Sequence, residues 1–206
     1  MAEYPIPKSA VIFEEEIKKS RFITYLQHTE GLSEARAFWE KIKLTHPQAR
    51  HHCWATVAGN PEDSLQFGFS DDGEPAGTAG KPMLNALQGS GVGEISAVIV
   101  RYFGGVLLGT GGLVRAYNSG VQQALKLLET EIKIERIAFR LDCDYGQWGW
   151  VQLLCEKYQI AILSQDFQVQ IHLMLGISEK MIEPFSLELT EKSAGKLMLQ
   201  PLEEGE

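Results

Sequence analysis

Residues 94–117 read Glu94-Ile95-Ser96-Ala97-Val98-Ile99-Val100-Arg101-Tyr102-Phe103-Gly104-Gly105-Val106-Leu107-Leu108-Gly109-Thr110-Gly111-Gly112-Leu113-Val114-Arg115-Ala116-Tyr117. The near-continuous apolar run from Ile95 to Val100 predicts a strand buried on both faces, at the centre of a sheet. Gly104 and Gly105 end that run. From Thr110 the pattern predicts a long helix over 110–128, starting in glycines and becoming amphipathic at Val121, Ala124, Leu125 and Leu128. A strand, a glycine corner and a helix in succession call for strands and helices on one core. The fold class expected is α+β.

Working back toward the N-terminus, segments 10–17 and 21–28 read as two strands joined through Lys18-Lys19-Ser20. Ser33 stands before a predicted helix over 34–45, with Ala37, Phe38, Ile42 and Leu44 on one face and Pro47 as its stop signal. Segments 52–58 and 65–70 read as short strands separated by Gly59-Asn60-Pro61. A loop over 71–83 then leads into a short helix through Leu87.

Working forward, the glycine-rich texture ends around 129–133. Beyond it the pattern predicts strand 134–143, helix 147–157, strands 159–164 and 167–175, helix 179–190 and strand 195–202. That order, βαββαβ, is the ferredoxin-like motif. Two domains are expected, 1–133 and 134–206.

Composition bounds the function. The 206 residues are 44% hydrophobic and 22% charged, values of a globular chain and not of a disordered or fibrous one. No stretch approaches the run of about 18 apolar residues that a membrane span needs, and the first residues lack the basic and apolar regions of a signal peptide. Cys53, Cys143 and Cys155 form no CxxC and read as reduced thiols of a cytoplasmic protein. The net charge is −8, which speaks against nonspecific nucleic-acid binding by the whole molecule. It is uneven: residues 1–133 carry 13 basic and 15 acidic side chains (net −2), and residues 134–206 carry 6 and 12 (net −6), including the Glu203-Glu204-Gly205-Glu206 tail. If any part meets phosphate, it is the first.

Thirteen of the twenty glycines lie between Gly68 and Gly120, so function is sought there. Such density implies positive φ angles or close backbone approach. Tight strand–helix corners would account for it, as would a ligand cradle. In the loop, Asp71, Asp72 and Glu74 stand beside Lys81. Three acids so close suit either a divalent cation or an ordinary solvated turn, and the spacing is not that of an EF-hand. No metal and no cofactor is expected. The corner at 101–117 exposes glycines before a helix N-terminus, as phosphate cradles do, yet neither nucleotide fingerprint fits it. Arg101, Tyr102, Arg115 and Tyr117 are candidates for holding RNA phosphate or stacking on a base, or for anchoring carboxylates inside the fold. His51-His52-Cys53 alternate across a strand and do not converge on one ion.

The same residues carry a family resemblance. His51-His52-Cys53, the run Phe69-Ser70-Asp71-Asp72-Gly73-Glu74-Pro75-Ala76-Gly77-Thr78-Ala79-Gly80-Lys81-Pro82-Met83 and the run from Arg101 to Tyr117 are similar to the signature of the IMPACT family. The resemblance spans essentially the whole chain. It implies a first domain with the fold of the second domain of ribosomal protein S5, and a second domain similar to the last domain of elongation factor G. Eukaryotic members act in translational control through an extra N-terminal partner-binding domain that this chain is expected to lack. No catalytic residue set is implied.

Three functions follow as expectations. The first is a translation-associated, non-catalytic protein that binds the ribosome, structured RNA or a translation factor through Arg101, Tyr102, Arg115, Tyr117, Lys81, Asp71, Asp72 and Glu74. The second is a hydrolase using the acids of the 71–81 loop. The third is a protein–protein adaptor acting through the acidic C-terminal domain.

Overall fold

The computed structural model describes residues 3–202 and divides into two compact units, one of Glu3–Lys133 and one from Ile134 onward. The acidic tail over 203–206 lies outside the described residues. In chain order the first unit contains β1 (Glu3–Pro7), β2 (Val11–Ile17), β3 (Ser20–His28), α1 (Gly31–Thr45), β4 (His51–Val57), β5 (Phe67–Ser70), α2 (Gly80–Ser90), β6 (Ile95–Tyr102), α3 (Thr110–Leu125) and β7 (Thr130–Ile134). Five strands form a sheet in the order β2-β3-β6-β4-β5, all neighbours antiparallel.

The apolar run at 95–100 is the middle strand of that sheet. Its alternate side chains feed two cores, as burial on both faces requires. Ile95, Ala97 and Ile99 join Phe22, Leu26, Cys53 and Ala55 beneath α2 and α3. Val98 and Val100 join Ile23, Phe38 and Ile42 beneath α1. The unit is therefore three layers, with α1 on one side of the sheet and the α2–α3 pair on the other.

Two sequence expectations need correction here, and one sheet was not foreseen. The buried face of α1 is Ala35, Phe38 and Ile42, whereas Leu44 is 82% exposed; positions 38 and 42 are one turn apart, and 44 falls off their stripe. The helix also begins earlier, at Gly31, with no side-chain cap from Glu30. Finally, β1 and β7 pair as a separate two-stranded sheet. Each is five residues long, too short to show a period.

Lys18 and Lys19 form the β2–β3 turn with φ of 47° and 65°, the left-handed pair that a tight hairpin demands and that Asn-Gly usually supplies. Buried Glu94, itself at φ 49°, gathers the unit's ends. Its carboxylate accepts from Tyr4 of β1 (3.0 Å), contacts His28 Nε2 of β3 (2.7 Å) and pairs with Lys133 of β7.

The second unit contains β8 (Ile137–Cys143), α4 (Tyr145–Lys157), β9 (Ala161–Phe167), β10 (Ile171–Ile177), α5 (Glu179–Lys192) and β11 (Gln200–Pro201), with sheet order β11-β8-β10-β9. The βαββαβ succession is present. The hairpin turn, however, falls at 168–170 rather than 165–166, because Phe167 pairs with Ile171. Asp144 caps α4 in a reciprocal box with Gln147. Leu141, Leu154, Leu173, Leu175 and Phe185 fill the core, with Trp148 and Trp150 packed at its margin. Cys143 and Cys155 are buried there too, and burial pushes both thiols up to about 11. Among the described residues, no helix is long and apolar enough to cross a membrane.

Candidate functional site

The acids of the 71–81 loop have work inside the fold. Asp71 accepts three backbone N–H groups with its side chain, from Gly77 (2.8 Å), Ala79 (3.0 Å) and Gly80 (2.8 Å), which folds the loop back onto the start of α2. Asp72 accepts from the His52 backbone N–H at 2.7 Å, and its own carbonyl accepts from His51 Nδ1 at 2.9 Å. Glu74 points inward. Its Oε1 accepts from Arg101 Nη1 at 2.7 Å and from the Tyr117 hydroxyl at 2.8 Å.

This buried trio is the clearest feature of the glycine-rich region. The side chains of Arg101 and Glu74 are 7% and 3% exposed. The guanidinium lies between the rings of Phe22 and Phe103, 5.5 and 5.6 Å from their centroids. Tyr117 stands edge-on to Phe22. Burial pushes the Tyr117 phenol well above its ordinary value, so it remains a donor. Cys53 completes the group: its thiol donates to the Asp71 carbonyl at 2.9 Å and sits 3.4 Å from the Tyr117 hydroxyl. Burial raises that thiol far out of the reactive range, so Cys53 is no nucleophile.

Of the two roles left open for Arg101, contact with phosphate or anchoring a carboxylate, the fold shows the second. Arg101 faces the core because residue 101 continues the inward alternation of Ile95, Ala97 and Ile99. Tyr117 lies one turn beyond Leu113 on the buried face of α3. Arg115 is exposed on the same helix. Tyr102 points to the opposite side of the sheet, where its hydroxyl meets His46 Nδ1 at 2.9 Å and Tyr25 meets Nε2 at 2.6 Å. Lys81 is exposed and lies over the ring of Phe69 at 5.7 Å. Among the described residues, no three His, Cys, Asp or Glu side chains converge to hold a metal.

What the corner does present to solvent is a different set. Phe103 is 50% exposed and Leu107 81%. Beside this loop, Lys18 and Arg115 line a hollow of about 260 Å³ with Leu108 and Ser119. Gly104 seats the loop. A Cβ there would stand 1.8 Å from the Lys19 carbonyl oxygen, so only glycine lets this corner close on the hairpin turn. Lys18 and Phe103 were not among the residues picked out in the sequence. A signal existed for the first, since two lysines occupied a two-residue hairpin where strain disfavours them.

Two α+β units, the first carrying a glycine corner braced by an internal Glu–Arg–Tyr network, define the class of protein. Residues 18–125 match the model of the Impact N-terminal domain, and residues 141–196 match a domain of unknown function, DUF1949. The chain belongs to the IMPACT family. It is 78% identical to an IMPACT family member of Haemophilus influenzae over the full length of both chains. It is 52% identical to the IMPACT family member YigZ of Escherichia coli, covering 99% of this chain and all of that one. A solved structure described as a hypothetical protein shares 51% identity, with a TM-score of 0.73 over 99% of each chain.

Proposed function

We propose that this chain is a non-catalytic, translation-associated protein that contacts the ribosome, structured RNA or a translation factor through the glycine corner of its first unit. The observation that carries this reading is the pairing of Lys18 and Arg115 around one hollow beside the exposed Phe103 and Leu107. Cations for phosphate and an apolar tip for a base or loop are what an RNA-facing surface uses. Lys18 and Lys19 are held in left-handed backbone conformations, and strain kept at a charged turn supports a role outside folding. The hydrolase alternative is weaker because Asp71 and Glu74 are occupied by backbone and by Arg101.

The proposal extends to architecture and setting. We take the units as separate domains, 1–133 and 134–206, the first like the second domain of ribosomal protein S5. The second is read as ferredoxin-like, similar to the last domain of elongation factor G; its strand order supports that assignment. The setting is cytoplasmic, which three free buried cysteines support.

Co-sedimentation with ribosomes and their subunits at two salt concentrations tests the function. Salt-sensitive pelleting that the Lys18→Ala/Arg115→Ala variant loses is the expected result. A folded wild-type chain that stays in the supernatant at both salts sinks it, and leaves the adaptor role of the acidic second domain.

A further inference from the structure

On the opposite side of the sheet from α3, a groove of about 640 Å³ runs between the first half of α1 and the edge strand β5. It exists because α1 packs on β4 and β6, leaving the last strand of that face uncovered. Its size is that of a small-molecule site. Its floor and wall are the indoles of Trp39 and Trp54, whose centroids are 6.2 Å apart at a tilt of 47°. Trp39 is fixed in place, since its Nε1 donates to the His52 carbonyl at 2.9 Å. Trp54 lies against Gly68, where a Cβ would stand 3.0 Å from the ring. A larger residue at 68 would lift that indole into the groove. Phe67 borders the groove only with its backbone, since it pairs with Val57 and its ring packs on the core beneath α2 and α3.

The polar content of the groove is one-sided. Arg36 is its single charged lining residue, with Ser33 one turn earlier on the same helix, and no carboxylate lines it. Arg36 is exposed and makes no hydrogen bond or ion pair among the described residues. Rigid aromatic faces beside an unneutralised guanidinium complement a flat π-system that carries negative charge.

We propose that this groove binds a nucleotide, its base against Trp54 and Trp39 and its phosphate on Arg36. Bases of any identity have a π-face to stack, and a guanidinium meets phosphate oxygens in a forked geometry. The site is separate from the glycine corner and does not depend on the function proposed for it.

The test is a titration of the full chain with adenosine monophosphate, read by tryptophan fluorescence and by calorimetry. Saturable binding is expected, with adenosine and inorganic phosphate each at least about tenfold weaker, since each keeps only one half of the recognition. Arg36→Ala weakens the nucleotide about tenfold. Ser33→Glu is the sharper variant. An acid in the first turn of α1 favours the helix, so the melting temperature holds or rises, while the groove's single positive charge is cancelled and binding falls by about tenfold or more. Arg115→Ala changes nothing. A single-stranded oligoadenylate at equal nucleotide concentration separates the sources: preference for the oligomer points to RNA and preference for the monomer to free nucleotide, and both uphold the site. No saturation by about 10 mM nucleotide, affinity equal to that of phosphate alone, or indifference to Ser33→Glu overturns it. So does capture of an acidic, tyrosine-containing peptide in place of the nucleotide.

Discussion

Arg101 has two possible partners in principle, a ligand's phosphate or the protein's own carboxylate, and Glu74 takes it at 2.7 Å. A buried pair of this kind is costly to break from one side, because the survivor keeps its charge without compensation. Arg101→Ala is therefore expected to lower unfolding free energy by about 3–5 kcal/mol, measured by chemical denaturation. Glu74→Gln keeps the shape but loses the charge, and should fall in the same direction. A near-neutral Arg101→Ala would show that the guanidinium is not truly paired. Residue identity made Arg101, Tyr117 and Glu74 conspicuous in the sequence. Their meeting was not legible, since Glu74 and Tyr117 are brought together by a loop and a helix 43 positions apart. Periodicity did carry the needed hint: residue 101 keeps step with Ile95, Ala97 and Ile99, so its side chain had to face α3.

Among the elements, the β2–β3 turn carries two successive non-glycine residues at positive φ. Lysine at positive φ costs about 1 kcal/mol relative to glycine. Lys19→Gly is thus expected to stabilise the first unit by about that amount in thermal or denaturant melts. If the turn serves a partner, the gain in stability comes with weaker ribosome pelleting. Gly104→Ala runs the other way. With a carbonyl oxygen 1.8 Å from the added carbon, the corner must open, and a loss of about 3 kcal/mol or more is expected. Elements with a strong apolar pattern were readable from sequence: the central strand, the hairpin before α1 and the βαββαβ series all stood out. Those set by pairing were not. The β9–β10 turn depends on which residue of one strand meets Phe167, and β1 and β7 exist only because they find each other.

For the whole first unit, Glu94 is the tie. Burial by itself would raise its carboxyl, but hydrogen bonds from Lys133, His28 and Tyr4 outweigh that and hold it below the usual range. A carboxyl depressed in the folded state adds stability above its unfolded value, about 4.3, and loses it as pH falls through the folded value. Glu94→Gln should then destabilise the protein by about 2–4 kcal/mol at neutral pH. The gap to wild type should close below about pH 4, followed by denaturation across pH. A constant gap would mean that shape, not charge, makes the hub.

The β1–β7 ladder also decides where the first unit could be cut and resealed. Its first and last strands lie side by side, so the polypeptide forms a nearly closed ring joined at Glu94. A permuted version of this unit, with 3 and 133 linked by a few glycines and new termini opened near the exposed Ser64 and Leu65, would keep its three layers and both cores. Evolution has the same freedom: a module whose entry and exit coincide can be spliced into another chain, or take a neighbour at either end, without disturbing its interior.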